Sequence, residues 1–203
     1  MTSENADYSQ SIANYGAAAV KKYRDISGIR NDNEIPEIFL GGQIAIGLHE
    51  EFRLQCHVER YYERILEDLC FTIDSDLKKA FGSKRADVAL YRDGKPFAII
   101  ELKICDERDR NGRNLLDDLE KMRELALKTG IEIYLGTLMT DVRKVECAKR
   151  RATIEKKLEG CFSAHSSLEP AGYGAGWKWQ FLAGQFWGKR QRAIERVRPH
   201  IPL

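Results

Sequence analysis

Arg85-Ala86-Asp87-Val88-Ala89-Leu90, a turn around Asp93-Gly94, and then Ala98-Ile99-Ile100-Glu101-Leu102-Lys103 read as the two strands of a hairpin. The first strand is expected over about 84–91 and the second over about 97–104. Side chains alternate faces along a strand. Phe97, Ile99, Glu101 and Lys103 therefore share one face of the second strand, and Ala98, Ile100, Leu102 and Ile104 the other. On the first strand Arg85, Asp87, Ala89 and Tyr91 oppose Ala86, Val88 and Leu90. The all-apolar face should pack on helices. The other carries two acids and a lysine among apolar neighbours, and charges are seldom set into buried strands unless something pairs them.

Turn length decides whether the acids meet. A two-residue turn at Asp93-Gly94 pairs Asp87 with Ile100 and leaves Asp87 and Glu101 on opposite faces. A three-residue loop (Arg92, Asp93, Gly94) pairs Asp87 with Ile99 and makes the two acids diagonal neighbours on one face. Glycine suits the left-handed third position of such a loop, so the three-residue loop is expected. A pairing of Arg92 with Lys95 contradicts it, unless a bulge restores the phase.

Two carboxylates and an ammonium converging on one spot make a site for a hard divalent cation with oxygen ligands. Such a cation neutralises an anionic phosphodiester and lowers the pKa of bound water, and a nearby lysine can orient that water or stabilise developing charge. This hydrolytic set needs no histidine. The four histidines (His49, His57, His165, His200) show no metal-ligand pairing, which argues against a zinc site. The competing reading is a solvated hairpin face with scattered charges; Phe97 and Ile99 on the same face argue against it.

Ahead of the hairpin, Ile35-Pro36-Glu37-Ile38-Phe39-Leu40 looks like a helix start with Pro36 in the first turn. The helix should run to about His49, with Leu40, Ile44 and Leu48 as its inward stripe and Glu37 at the head of that stripe. A hairpin turning at Gly41-Gly42 is the alternative.

Asp87 followed after a short hairpin by Glu101-Leu102-Lys103 resembles the PD-(D/E)xK nuclease superfamily, over roughly residues 36 to 140. The position before Asp87 is Ala86 rather than proline, a departure from the motif. The resemblance implies a restriction-endonuclease-like α/β core, a mixed central sheet flanked by helices. It implies Mg²⁺, with Mn²⁺ as a substitute, held by Asp87, Glu101 and the backbone carbonyl of Leu102, with Lys103 near the attacking water. It also implies that a glutamate of the first core helix joins the site. Glu37 is the candidate and Glu51 the second choice, although a glutamate in a first helical turn is already favoured by the helix dipole.

The 203 residues, 43% of them hydrophobic, fit one elaborated domain. The reading divides them into an N-terminal helical extension (1–35), the nuclease-like core (36–140) and a basic, aromatic-containing C-terminal extension packed on the core (141–203). A helix is expected over about Tyr8 to Asp25. Phe52, Leu54, Cys56 and Val58 suggest a first strand, and two short helices follow before the hairpin. A helix from about Asn114 to Lys128 should cross over to a strand at 131–139 that runs parallel to one in the sheet. Alternating Trp177, Trp179 and Phe181 suggest a strand packing aromatics into a small core, with stacking on unpaired bases as the other reading.

No run of eighteen apolar residues exists, so no membrane span is expected. Five cysteines, odd in number and without CxxC spacing, suggest a reduced, cytoplasmic setting. Charge is uneven. Residues 143–203 carry 13 Lys and Arg against 5 Asp and Glu, so the C-terminal third is strongly basic while the remainder is acidic. That asymmetry suggests a surface for phosphate backbone, with Lys149, Arg150, Arg151, Lys189, Arg190 and Arg192 as candidate contacts. The expectation is therefore a metal-dependent endonuclease acting on DNA, with RNA and homodimer formation left open. The alternative is a catalytically silent module of the same fold that binds nucleic acid or a protein partner.

Overall fold

The computed structural model describes residues 7–29, 32–105, 113–143, 152, 155–156, 162–171 and 176–187. A mixed sheet lies at the centre. Its strands are β1 (Gln55–Tyr61), β2 (Arg85–Arg92), β3 (Lys95–Cys105), β4 (Glu132–Arg143), β5 (Ala164–His165), β6 (Glu169–Pro170) and β7 (Trp177–Trp187). Their order is β1-β2-β3-β4-β7-β5, with β6 also paired to β7. All neighbours are antiparallel except β3 and β4, which run parallel.

The parallel pair follows from the crossover helix α5 (Arg113–Thr129), as the apolar spacing of its sequence required. Leu119, Met122, Leu125 and Ala126 are buried beneath it, and Gly130, at φ 76°, ends it. The expected strand at 131–139 is longer, because its second half pairs along β7. The aromatic alternation of Trp179 and Phe181 is real, but it serves the main sheet and not a separate small core. Both rings are fully buried under α1 (Ser9–Ser27), within the cluster that also holds Ile12, Leu40 and Leu138.

Helices cover both faces. On one, α1 and α2 (Glu37–Phe52) pack on Val88, Leu90, Ala98, Ile100 and Leu102, the all-apolar side of the hairpin. Pro36 is the N-cap of α2, and Leu40, Ile44 and Leu48 point inward. The helix runs unbroken through Gly41-Gly42, so no hairpin turns there. Gly41 is where the sheet comes closest: a Cβ built on it would lie 3.3 Å from Val88 and 3.4 Å from the Asp87 carbonyl. Because α2 continues to Phe52, the first strand begins later than its alternation suggested, at Gln55. On the other face α3 (Tyr62–Asp68), α4 (Ser75–Phe81) and α5 cover Ala89, Ile99 and Ile133. Asp74 caps α4 by accepting the Leu77 N–H at 2.7 Å.

Among the described residues no helix is long and apolar enough to cross a membrane. The basic candidates Lys149, Arg150, Arg151, Lys189, Arg190 and Arg192 lie outside the described residues.

Candidate active site

The hairpin closes differently from expectation. Arg92 pairs with Lys95 across a two-residue turn in which Asp93 (φ 52°) and Gly94 (φ 75°) are both left-handed, as a type I′ turn requires. The expected three-residue loop is therefore absent. The phase is reset by a bulge instead. Tyr91 pairs with Pro96, but Leu90 pairs with Ala98, so Phe97 is the extra residue. Beyond the bulge Ala89 faces Ile99 and Val88 faces Ile100, so the same register continued sets Asp87 across from Glu101, one step past the last paired residues, instead of diagonal to it.

On its other side β2 meets β1. Val58 faces Val88 and Arg60 faces Ala86, so the residues between them, Glu59 and Asp87, oppose one another. Three carboxylates thus lie in a row across three adjacent strands. Glu59 adopts a left-handed backbone at φ 54°, which costs a non-glycine residue about 1–2 kcal/mol.

The β2–β3 ladder ends at Val88 and Ile100, while β2 stays paired to β1 as far as Arg85. Where the two strands separate, Asp87 takes the place of a ladder partner: its Oδ2 accepts the Leu102 N–H at 2.6 Å. In an extended strand the N–H and C=O of one residue turn to the same neighbour. The Leu102 carbonyl is thereby directed toward β2 and the Asp87 side, away from β4.

Asp87, Glu101 and Lys103 line one open cleft of about 560 Å³. Its walls include Tyr62, Phe81 and Met122, and its rim adds Glu59, Lys84, Arg85 and Lys121. Burial pushes the Asp87 carboxyl up from its ordinary 3.8 to about 6. The Leu102 N–H and the Lys103 ammonium oppose that rise, and the Glu37 and Glu59 carboxylates add to it. Glu101 accepts a hydrogen bond from the hydroxyl of Tyr62. Arg85 bridges to Glu59 at 3.7 Å, donates to the Tyr61 hydroxyl at 2.6 Å and lies 4.4 Å from that ring's centre.

Glu37 occupies the first turn of α2, on the far side of the sheet. Its charge reaches Asp87, but it is not among the residues that line the cleft. Glu51 accepts the Tyr15 hydroxyl at 2.9 Å and does not line the cleft either. Sequence reasoning missed Tyr62, Glu59 and the cationic rim. Arg85 was already placed on the Asp87 face, and Lys84 beside it could have been added to a cationic edge.

Two carboxylates and a carbonyl directed to the same gap are oxygen donors of the kind a hard cation takes. Among the described residues no three His, Cys, Asp or Glu side chains are gathered closely enough to hold a metal. A cation here would have Asp87, Glu101 and the Leu102 carbonyl as its protein donors. No protein-family model matches the chain, and no curated protein or solved structure matches it either.

Proposed function

We propose that this chain is a Mg²⁺-dependent endonuclease with a restriction-endonuclease-like core of the PD-(D/E)xK type, hydrolysing phosphodiester bonds of DNA. The observation that carries the reading is the presence of Asp87, Glu101 and Lys103 in one open cleft, with Asp87 across from Glu101 by continuation of the hairpin register. A half-desolvated acid set between two others is costly to fold, and such perturbed groups in clefts mark functional sites.

Mg²⁺ would be held by Asp87, Glu101 and the Leu102 carbonyl, and when bound it supplies neutralisation of phosphate charge and a more acidic water. Lys103 places an ammonium beside the acids, where it orients the attacking water and stabilises charge growing on the phosphate oxygens. Lys84, Arg85 and Lys121 hold the flanking phosphates and fix the strand along the cleft. Hydrolysis would leave a 5′-phosphate, as the resemblance implies.

The test is cleavage of plasmid and branched DNA with Mg²⁺ or Mn²⁺ by the wild type, Asp87→Ala and Lys103→Ala. Each substitution is expected to cost about 10²–10³ in rate, the usual loss of one charge-stabilising group. Activity that survives both removes these residues from the mechanism. The second reading is a silent module that binds nucleic acid or a protein partner. Calorimetry separates the two: a silent module takes up no Mn²⁺ that Glu101→Ala abolishes.

A further inference from the structure

We infer that Tyr62 is a positioning residue for Glu101: its hydroxyl fixes the carboxylate that faces the cleft and so sets the affinity of the site for a divalent cation. The inference rests on the metal-site reading above and adds to it a residue that the sequence motif does not contain.

Tyr62 is fixed at three separate points. Its backbone N–H donates to the Lys84 carbonyl at 3.1 Å, which ties the start of α3 to the residue preceding β2. Its ring packs on Phe81 with centroids 4.8 Å apart. Its hydroxyl reaches both Glu101 Oε1 and, at 3.3 Å, Met122 Sδ. The side chain is 2% exposed, so solvent cannot satisfy the hydroxyl. A phenol has one proton to donate, thioether sulfur is a weak acceptor, and a carboxylate is a strong one. The proton therefore goes to Glu101. One Glu101 oxygen is thus held by a hydroxyl whose ring is anchored on Phe81 and whose backbone is anchored on the Lys84 carbonyl. Partners that hold a metal-binding carboxylate in this way commonly govern affinity nearly as strongly as the ligand itself.

The plainer account makes Tyr62 a packing residue whose hydroxyl merely needed an acceptor. The two accounts differ in what Tyr62→Phe does. The phenyl ring stays on Phe81, so packing alone predicts no change at the cation site.

The experiment is Mn²⁺ calorimetry on the full chain at fixed pH and ionic strength, with thermal melting of each variant alongside. Tyr62→Phe is expected to stay folded and to bind Mn²⁺ about 10–100-fold more weakly. Its cleavage should recover toward the wild-type maximum as Mn²⁺ is raised, so half-saturation moves more than the limiting rate. Met122→Leu, which conserves volume and removes only the sulfur, is expected to bind within about twofold of wild type. Wild-type affinity in Tyr62→Phe overturns the inference, as does equal weakening in Met122→Leu or loss of the fold in Tyr62→Phe. A wild type that takes up no Mn²⁺ overturns the metal-site reading itself.

Discussion

Replacing Asp87 by asparagine should make the metal-free protein more stable, in a way that depends on pH. The ordinary carboxyl value of 3.8 rises to about 6 in the fold, chiefly by burial. The folded state therefore favours the protonated acid. Its contribution to stability is fully present below the unfolded value near 3.8 and is lost as pH rises through the folded value near 6. A tenfold change in acidity is worth about 1.4 kcal/mol, so keeping the ionised carboxylate folded at about pH 8 costs about 3 kcal/mol. Asparagine removes that cost and keeps a carbonyl oxygen to accept the Leu102 N–H. Its amide N–H groups need new acceptors, which takes back about 1 kcal/mol or more. For a chain of this size each kcal/mol moves the melting temperature by about 2–4 °C, so a rise of about 4–8 °C is expected.

The assay is scanning calorimetry in a chelator, with wild type and Asp87→Asn side by side from about pH 5 to about pH 8. By linkage the ionisation cost falls to about half near pH 5, so the gap, less the fixed amide cost, should shrink to about a third. Using the difference between the two proteins cancels the titrating groups that do not interact with Asp87. An Asp87→Asn variant that melts at or below wild type near pH 8, or a gap that stays constant across the range, refutes the argument.

Three further perturbations test the backbone and packing that position the site. Gly94→Ala places a Cβ at φ 75° in the hairpin turn and should cost about 1–2 kcal/mol, read as a lower urea midpoint with unchanged slope. Gly16→Ala sets a Cβ 2.5 Å from the fully buried ring of Phe181 and should cost about 1–3 kcal/mol in the same assay. Gly42→Ala, in the second turn of α2 with nothing within 4 Å of the added Cβ, should instead stabilise by about 1 kcal/mol. A destabilised Gly42→Ala would mean that this face of α2 is covered in solution.

Most of the architecture was legible because it depends on periodicity. The apolar face of the hairpin, the stripe of Leu40, Ile44 and Leu48, and the crossover through α5 follow from spacings of two or of three to four residues. The acids' meeting was legible in kind and not in detail. Both loop lengths considered count residues along one chain, whereas the bulge at Phe97 is a property of two strands pairing. Pro96 was its sign: proline inside a strand belongs to edges and irregular positions. The row of three acids needed the register of β1 on β2, which no local pattern encodes. Tyr62 was illegible for a related reason. It stands at the junction of β1 and α3, and only the folding of α3 over the cleft brings its hydroxyl to Glu101.

The charge arrangement also bears on which ligand the cleft suits. Directly opposed residues of neighbouring strands sit about 5 Å apart, where two like charges repel by about 3 kcal/mol at an effective dielectric constant of 20. By continuation of the strand registers Asp87 lies across from Glu59 on one side and Glu101 on the other; burial is the main cause of its raised value, and Glu37 and Glu59 add to it. Four cations, Lys84, Arg85, Lys103 and Lys121, line the same cleft as the three acids. Arg85 already answers Glu59, and Lys103 opposes the rise at Asp87. With every group ionised the cleft has one positive charge in excess, too little to draw a polyanion strongly by itself. A divalent cation between Asp87 and Glu101 would turn their repulsion into shared attraction and raise the excess to three. Cation and phosphate would then each strengthen the binding of the other, a coupling that must be reciprocal. A neutral ligand gains nothing from this arrangement, and a cationic one is opposed by it. Under the proposed function the acids would serve the metal and the cations of the rim the phosphate, each making the other's ligand easier to hold.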